Sequence, residues 1–227
     1  MKGRHRRVAS QPVRALIALL ASLVFVMGCG GDNESAPETT GATSSECEQV
    51  ETPEARDPGT NQAPSEPLGR DTTYTLTFET SCGSFTITLD PEPAPNTTAS
   101  LVALAESGYF DDTIFHRVVP GFVIQGGDPT QTGAGGPGYS TVDVPPSDAA
   151  YTKGVVAMAK AGNEPAGTSG SQFFVVTGVD AGLTADYAIV GEVTEGLDTV
   201  ERIDALGVGD GPPSQAVVVE SVTVTES

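Results

Sequence analysis

The chain has 227 residues and carries 11 Lys and Arg against 30 Asp and Glu, a formal net charge of −19 at pH 7. Its length is enough for one sizeable domain with additional segments. Because an acidic surface repels phosphate backbones and anionic lipid, the composition argues against nucleic-acid binding.

The N-terminal residues have the pattern of an export signal. Residues 1–14 contain five basic residues and no acid, and residues 15–27, ALIALLASLVFVM, are nearly all apolar. A basic start before an apolar run shorter than the ~20 residues of a membrane-spanning helix predicts a signal peptide over 1–28. Its removal leaves 6 Lys and Arg against 30 Asp and Glu, a net charge of −24.

The apolar run ends in VMGCG, which resembles the lipobox of bacterial lipoproteins. That family is cleaved before the cysteine and lipidated on it. The resemblance implies that acyl chains on Cys29 anchor the protein to the extracytoplasmic face of the membrane, in the cell envelope. The alternative is an ordinary signal peptide whose cysteine is incidental.

Residues 29–70 are rich in Ser, Thr, Pro, Gly and Glu and lack hydrophobic periodicity, which predicts a disordered, acidic tether. Two further cysteines are Cys47 and Cys82. Because disulfides persist in exported proteins, an even pair favours one bridge that clips the tether to the start of the domain. Two free thiols are the alternative.

The remaining residues, 71–227, are predicted to form one domain that begins with a β-hairpin and a helix. TYTLTFET and GSFTITLD alternate apolar and polar residues on either side of a turn, as hairpin strands do. In the segment that follows, Leu101, Leu104 and Ala105 have helical spacing, and Gly108 is a typical helix stop.

The rest of the domain reads as short strands, a long loop over 126–153 and one more helix. The predicted strands are FHRVV, FVIQG, VVAMAK, QFFVVT, AIVGEV and AVVVESVTVTE, and the second helix is GLDTVERIDAL. Eight short strands and two helices favour a mainly β fold, a closed eight-stranded antiparallel barrel capped by the helices, because closure removes exposed sheet edges.

Several kinds of site are disfavoured. GAGGPG at 133–138 matches a dinucleotide fingerprint in letters only, because it lies inside a loop with Pro137 where a helix should begin. After residue 28 the chain has one histidine, His116, and no G-x-S-x-G, which argues against a serine hydrolase and a zinc site. The acidic pair Asp111–Asp112 fits no calcium loop. We expect neither a metal nor a cofactor.

Two blocks carry a specific resemblance. FHRVVPGFVIQGGD at 115–128 and GVVAMAKAGNEPAGTSGSQFFVVTG at 154–178 resemble the signature blocks of the cyclophilin family of peptidyl-prolyl cis–trans isomerases. The similarity extends over 72–227 and includes GYFDDTIFHR, GAGGPGY and GLDTVERIDAL. It implies the eight-stranded barrel with two helices, and isomerisation of X–Pro bonds without a cofactor.

The resemblance also implies roles for individual residues. The catalytic group comprises Arg117, Gln125 and Phe122. The peptide-binding residues are His116, Val123, Ala159, Lys160, Ala161, Gln172, Phe174, Leu183 and Tyr187. Among these, Arg117 is the donor to the substrate, Gln125 helps to hold it, and Phe122, Val123, Phe174 and Leu183 form the wall around the proline ring.

The chain departs from the common family pattern at three positions. Val123 replaces a methionine, which implies a looser proline pocket, and Lys160 replaces an asparagine, which adds a cation to the groove. Gly182 stands where cyclosporin-sensitive members have tryptophan, which predicts weak cyclosporin binding.

The sequence therefore predicts an isomerase that assists the folding of exported proteins outside the cytoplasm. Its expected partners are proline-containing peptides, unfolded exported proteins and, through the lipid anchor, the membrane; we expect a monomer. Two alternatives stay open: a non-catalytic chaperone or docking module that binds proline peptides on the same fold, and a purely structural ion pair for Arg117.

Overall fold

The structure is a computed structural model, and it describes residues 46–227. The predicted signal peptide and Cys29 lie outside the described residues. Within 46–227 no helix has the length and apolar character needed to cross a membrane.

The described residues form eleven strands and two helices. The strands are β1 (Tyr74–Thr80), β2 (Gly83–Leu89), β3 (Thr113–Ile114), β4 (Arg117–Val119), β5 (Val123–Gly126), β6 (Thr141–Val142), β7 (Val155–Met158), β8 (Thr168–Ser169), β9 (Phe173–Val176), β10 (Ile189–Glu195) and β11 (Val218–Glu226). The helices are α1 (Pro95–Glu106) and α2 (Leu197–Asp204).

Nine of these strands form one curled antiparallel sheet in the order β3-β11-β1-β2-β10-β7-β9-β5-β4. Its two edge strands, β3 and β4, are consecutive in the chain and are not paired with each other. The backbone N–H of Val118 in β4 instead donates to the carbonyl of Gly211 at 2.8 Å. The prediction of a mainly β fold with two helices is confirmed, but the closed eight-stranded barrel is corrected to a nine-stranded half-barrel.

The predicted hairpin is present as β1 and β2, and its alternation faces the core. Phe78 lies directly opposite Phe85, and their rings stack with centroids 5.0 Å apart. Phe110, Phe115 and Phe173 pack around this pair with ring centroids 5.2–6.3 Å from one or other of the two rings. Aromatic burial of this kind dominates the stability of a small core.

The two predicted helices are also present. Helix α1 begins at Pro95, a residue suited to the first turn because its missing N–H has no intrahelical partner there, and it ends before Gly108. Helix α2 buries Val200 and Ile203 completely against the sheet. The predicted long loop contains one short strand, β6, which pairs with β8.

Residues 46–70, which we call the strap, form no helix or strand but are held against the domain. A disulfide bond joins Cys47 to Cys82. The Arg56 guanidinium donates to two backbone carbonyls beyond α1 at 2.5 and 2.7 Å, and Leu68 packs on the main core. The part of the predicted tether that the structure describes, residues 46–70, therefore has specific contacts with the domain.

Candidate active site

Arg117 and Gln125 lie side by side on the groove face of the sheet. They are register partners in the antiparallel pair β4–β5, so both side chains emerge on the same face. Arg117 Nη1 donates to Gln125 Oε1 at 3.3 Å. Their strand neighbours Val118 and Ile124 are completely buried on the opposite face. The pleat therefore explains how an apolar stretch presents one cation.

Arg117 has a second partner that the sequence reasoning missed. Asp210 accepts from Arg117 Nε at 2.5 Å and from Nη2 at 3.0 Å, a bidentate pair. The Arg117 hydrogen bond and charge hold the pKa of the Asp210 carboxyl below its usual value. Asp210 lies 93 residues from Arg117 in a loop without periodicity, so no local pattern could have revealed the contact.

A chain of amide hydrogen bonds continues from Arg117 along the groove. Gln125 Nε2 donates to Gln172 Oε1 at 3.0 Å, and Gln172 Nε2 donates to the carbonyl of Gly135 at 2.9 Å. Each glutamine is therefore held at both ends of its amide, which orients the Oε1 that Arg117 contacts.

A cavity of about 270 Å³ opens beside Arg117, and we call it the strand-walled cavity. It is lined by Arg117, Phe122, Val123, Gln125, Ala159, Lys160, Phe174, Leu183 and Tyr187. These are nine of the twelve site residues that the resemblance implies. Six of the nine lining residues are apolar or aromatic, and the other three are polar, so the space suits a small apolar ring with one polar side facing Arg117.

Aromatic contacts behind the cavity fix its far wall. The rings of Phe174 and Tyr187 meet edge to face with centroids 5.7 Å apart. Tyr151, which the sequence reasoning did not single out, is buried behind them and donates from its hydroxyl to the Tyr187 carbonyl at 2.7 Å. Burial raises the pKa of the Tyr151 hydroxyl.

Phe122 at the tip of the β4–β5 hairpin is held from two sides. Its carbonyl accepts from the N–H of Thr177 at 3.0 Å. The Asp204 carboxylate, at the end of α2, accepts from Gly121 N–H at 3.1 Å and from the Thr177 hydroxyl at 2.6 Å. Gly121 has φ +68°, which suits glycine, so the tight turn that carries Phe122 depends on this residue.

A second cavity of about 520 Å³ adjoins the first, and we call it the loop-walled cavity. It shares Gln125, Ala159 and Lys160 with the strand-walled cavity and is otherwise lined mainly by Gly133–Ser140 and by Ala161, Glu164 and Gly170–Gln172. Lys160 Nζ lies 5.5 Å from the centroid of the Tyr187 ring and donates to the Glu164 carbonyl at 3.1 Å. Ala161 and Gln172 thus belong to this second cavity.

The glycine-rich wall of the loop-walled cavity is organised by Asp128, another residue that sequence reasoning left unassigned. Its fully buried carboxylate accepts from the N–H and hydroxyl of Thr130 and from the N–H groups of Gly133 and Gly135, all at 2.7–3.1 Å. Burial alone would raise the pKa of Asp128, but these hydrogen bonds outweigh it and hold the pKa below its usual value.

His116 is not among the residues that line either cavity, and the peptide-binding role that the resemblance implies for it stays a prediction. Its ring lies beneath Gly133, a residue of the loop-walled cavity, and 9% of the surface of His116 is exposed. Neither ring nitrogen has a hydrogen-bond partner among the described residues. Burial and the charge of Arg117 lower the pKa of His116, despite smaller opposing effects of Asp128 and Gln172.

Comparisons with known proteins agree with this geometry. Residues 75–224 match the family model described as cyclophilin type peptidyl-prolyl cis-trans isomerase/CLD. The chain is 40% identical over 172 residues to peptidyl-prolyl cis-trans isomerase A of Mycobacterium tuberculosis, which covers 67% of this chain and 93% of that protein. It is 37% identical over 171 residues to the probable peptidyl-prolyl cis-trans isomerase A of Mycobacterium leprae, covering 66% and 92%.

Solved structures give the same result. A crystal structure of a Cryptosporidium parvum cyclophilin type peptidyl-prolyl cis-trans isomerase matches with a TM-score of 0.62 and 29% identity, covering 67% of this chain and 98% of that one. A second crystal structure of that protein, in the presence of the dipeptide Ala-Pro, matches with a TM-score of 0.61 and 30% identity, covering 66% and 98%. The chain belongs to the cyclophilin family of peptidyl-prolyl cis–trans isomerases.

Proposed function

We propose that this peptidyl-prolyl isomerase acts on exported proteins outside the cytoplasm, and that Arg117 is the group that stabilises the twisted peptide bond. The observation that carries the catalytic part is the position of Arg117: a fixed cation beside the apolar side chains of a cavity of about 270 Å³.

The chemistry of the X–Pro bond explains why such a cation accelerates rotation. Resonance draws the nitrogen lone pair into the carbonyl and creates a barrier of ~18–20 kcal/mol. In the twisted transition state the lone pair returns to nitrogen, which becomes a better hydrogen-bond acceptor. A donor held close to that nitrogen stabilises the transition state more than either ground state. Arg117 suits this role because a guanidinium stays charged and offers several rigidly arranged N–H groups.

The other groups of the site hold the substrate while one side of the bond turns. Phe122, Val123 and Phe174 form an apolar wall that suits the proline ring. Gln125 holds Arg117, and the backbone of Ala159 and Lys160 borders both cavities, where an extended peptide can pass. No proton transfer or covalent intermediate is needed.

Arg117→Ala tests the catalytic role in an exchange assay on a short X–Pro peptide with the full-length protein. Loss of one transition-state donor predicts a fall in kcat of roughly 10²–10³-fold. Arg70→Ala, at an exposed arginine outside both cavities, is the matched control. Equal rates for wild type and Arg117→Ala would remove Arg117 from the mechanism.

The extracytoplasmic role rests on different observations. The basic and apolar start of the chain and the VMGCG sequence support export and acylation of Cys29. The Cys47–Cys82 disulfide supports it independently, because such bonds persist in oxidising compartments.

Cell fractionation of the wild type and of Cys29→Ala tests this role. We expect the wild type in the membrane fraction and accessible to protease added outside the cell membrane, and Cys29→Ala released from the membrane. A wild-type protein found in the cytoplasmic fraction with reduced thiols contradicts the proposal.

A further inference from the structure

We propose that Asp210 is a positioning residue for the isomerase reaction, which aims the guanidinium of Arg117 at the substrate. The proposal rests on the proposed catalytic role of Arg117, and it adds a residue that lies outside both signature blocks of the sequence.

The hydrogen-bond inventory of Arg117 carries the first step. A guanidinium has five N–H groups. Asp210 accepts one from Nε and one from Nη2, and Gln125 accepts one from Nη1. One N–H therefore remains on each terminal nitrogen, and Arg117 borders the strand-walled cavity. Asp210 and Gln125 together therefore leave two N–H groups of Arg117 that can donate to a group bound in that cavity.

Asp210 supplies most of this orientation. The contact to Gln125 is a single hydrogen bond at 3.3 Å, whereas Asp210 makes two parallel bonds at 2.5 and 3.0 Å. A bidentate carboxylate fixes the plane of a guanidinium as well as its position, and a single bond does not. Without Asp210 the long arginine side chain regains rotamers that point its N–H groups elsewhere.

The backbone brings Asp210 within reach of Arg117. Val118 and Gly211 form an antiparallel bridge, with the Val118 N–H donating to the Gly211 carbonyl at 2.8 Å. Because the bridge is antiparallel, Asp210 lies diagonally across from Arg117 on the same face, at a separation that a long side chain can span. The glycines on either side of Asp210, Gly209 and Gly211, have φ +151° and +156°, a conformation that side chains disfavour. These two glycines therefore allow the backbone conformation that places the Asp210 carboxylate beside Arg117.

The exposure of the pair separates a catalytic effect from a structural one. The Asp210 side chain is 67% exposed, and exposed ion pairs contribute little to folding. Removal of this carboxylate should leave the thermal unfolding midpoint almost unchanged while the rate of isomerisation falls. A merely structural contact would show the opposite pattern.

The experiment compares Asp210→Ala, Asp210→Asn and Asp210→Glu in the full-length protein, with kcat and KM measured separately on one X–Pro peptide. For Asp210→Ala we expect kcat to fall about 10- to 100-fold, the cost of a misaimed catalytic group, with KM within about twofold. Asp210→Glu should recover part of kcat, because it restores a carboxylate. Asp148→Asn, at an exposed aspartate outside both cavities, is the control.

A double variant shows whether Asp210 acts through Arg117. In an Arg117→Ala background, Asp210→Ala should have no further effect on kcat. The Nε–H signal of Arg117 in a nitrogen–proton spectrum should be sharp in the wild type and exchange-broadened in Asp210→Ala. The proposal is overturned if Asp210→Ala keeps the wild-type kcat, or if only KM rises. If Arg117→Ala itself is fully active, the catalytic role of Arg117 fails first, and this inference falls with it.

Discussion

The strand-walled and loop-walled cavities share Gln125, Ala159 and Lys160 but differ in what holds their other walls. The strand-walled cavity takes its shape from paired backbones, because Val123 and Phe174 lie on neighbouring strands β5 and β9. The loop-walled cavity is bounded by Gly133–Ser140, a stretch with no strand. Its shape depends on a few side chains, which makes it easier to alter by mutation.

Two sets of contacts replace the missing sheet around the loop-walled cavity. From inside, the Asp128 carboxylate gathers N–H groups of the loop. From outside, the strap contacts the same region: Arg56 N–H donates to the Pro129 carbonyl at 3.0 Å, and Asn61 Nδ2 donates to the Pro137 carbonyl at 3.3 Å. The strap is therefore part of the support for one cavity and not for the other.

The largest effect is expected from removing the bond that anchors the strap. The Cys47→Ser/Cys82→Ser double variant opens a loop of 35 residues, and the chain-entropy model predicts a loss of about 4 kcal/mol in the free energy of unfolding. Denaturant unfolding of the oxidised wild type and the variant measures it. An unchanged midpoint would mean that the strap is held without its disulfide.

The next effect is expected from Asp128→Ala, which leaves several loop N–H groups without an acceptor. We expect a loss of about 3 kcal/mol in the free energy of unfolding, since hydrogen bonds to a buried charge are strong. Asp148→Ala, at an exposed aspartate, is the control.

The same residue predicts a pH dependence. Because the folded-state pKa of Asp128 lies below its ordinary value of 3.8, its stabilisation is present above that pH and is lost as pH falls through the folded-state pKa. Between about pH 5 and pH 2, the free energy of unfolding should therefore change less with pH for Asp128→Ala than for the wild type. An equal change of the free energy of unfolding with pH in both proteins would contradict the assignment of this effect to Asp128.

A smaller effect is expected from Arg56→Ala, which removes the strap contacts to carbonyls beyond α1. The loss should be about 2 kcal/mol, from two good hydrogen bonds to a charged donor. Hydrogen exchange should become faster in residues 128–140 and stay unchanged in β5 and β9. Arg70→Ala is the matched control, and equal acceleration in both regions would show that the two walls are not held independently.

Residues in paired strands could be predicted from the sequence better than residues in loops. Arg117, Gln125, Val123 and Phe174 could be placed because each belongs to a local block whose strand alternation decides which face a residue takes. His116 precedes strand β4, so strand alternation does not decide which way its side chain turns, and its ring lies against Gly133.

Long-range contacts had no local signal. Asp210 meets Arg117 across 93 residues, and Arg56 meets Tyr109 across 53. Residues 29–70 are predicted to be disordered because they make no apolar periodic face, whereas residues 46–70 contact the domain through a disulfide, through Leu68 and through hydrogen bonds to carbonyl groups, none of which needs such a face. The open edge of the sheet had no local signal either. The Val118 N–H of edge strand β4 donates to the carbonyl of Gly211, which lies in a loop that carries no strand pattern.

The smallest effect is expected from a substitution at Lys160, which borders both cavities. It tests whether the charge of Lys160 contributes to selectivity for the residues that flank proline. A charge pair in contact with solvent contributes at most ~1 kcal/mol, so Lys160→Asn, which removes a half-buried cation, should lower kcat/KM about 2- to 5-fold for a peptide with Glu beside the X–Pro unit. A matched Ala peptide should be unaffected, and added salt should abolish the difference because the interaction is electrostatic. Lys153→Asn, at an exposed lysine paired with Glu201 away from both cavities, is the control. If Lys160→Asn changes the Glu and Ala peptides equally, its contact with the Tyr187 ring shapes the strand-walled cavity, and its charge does not select the flanking residue.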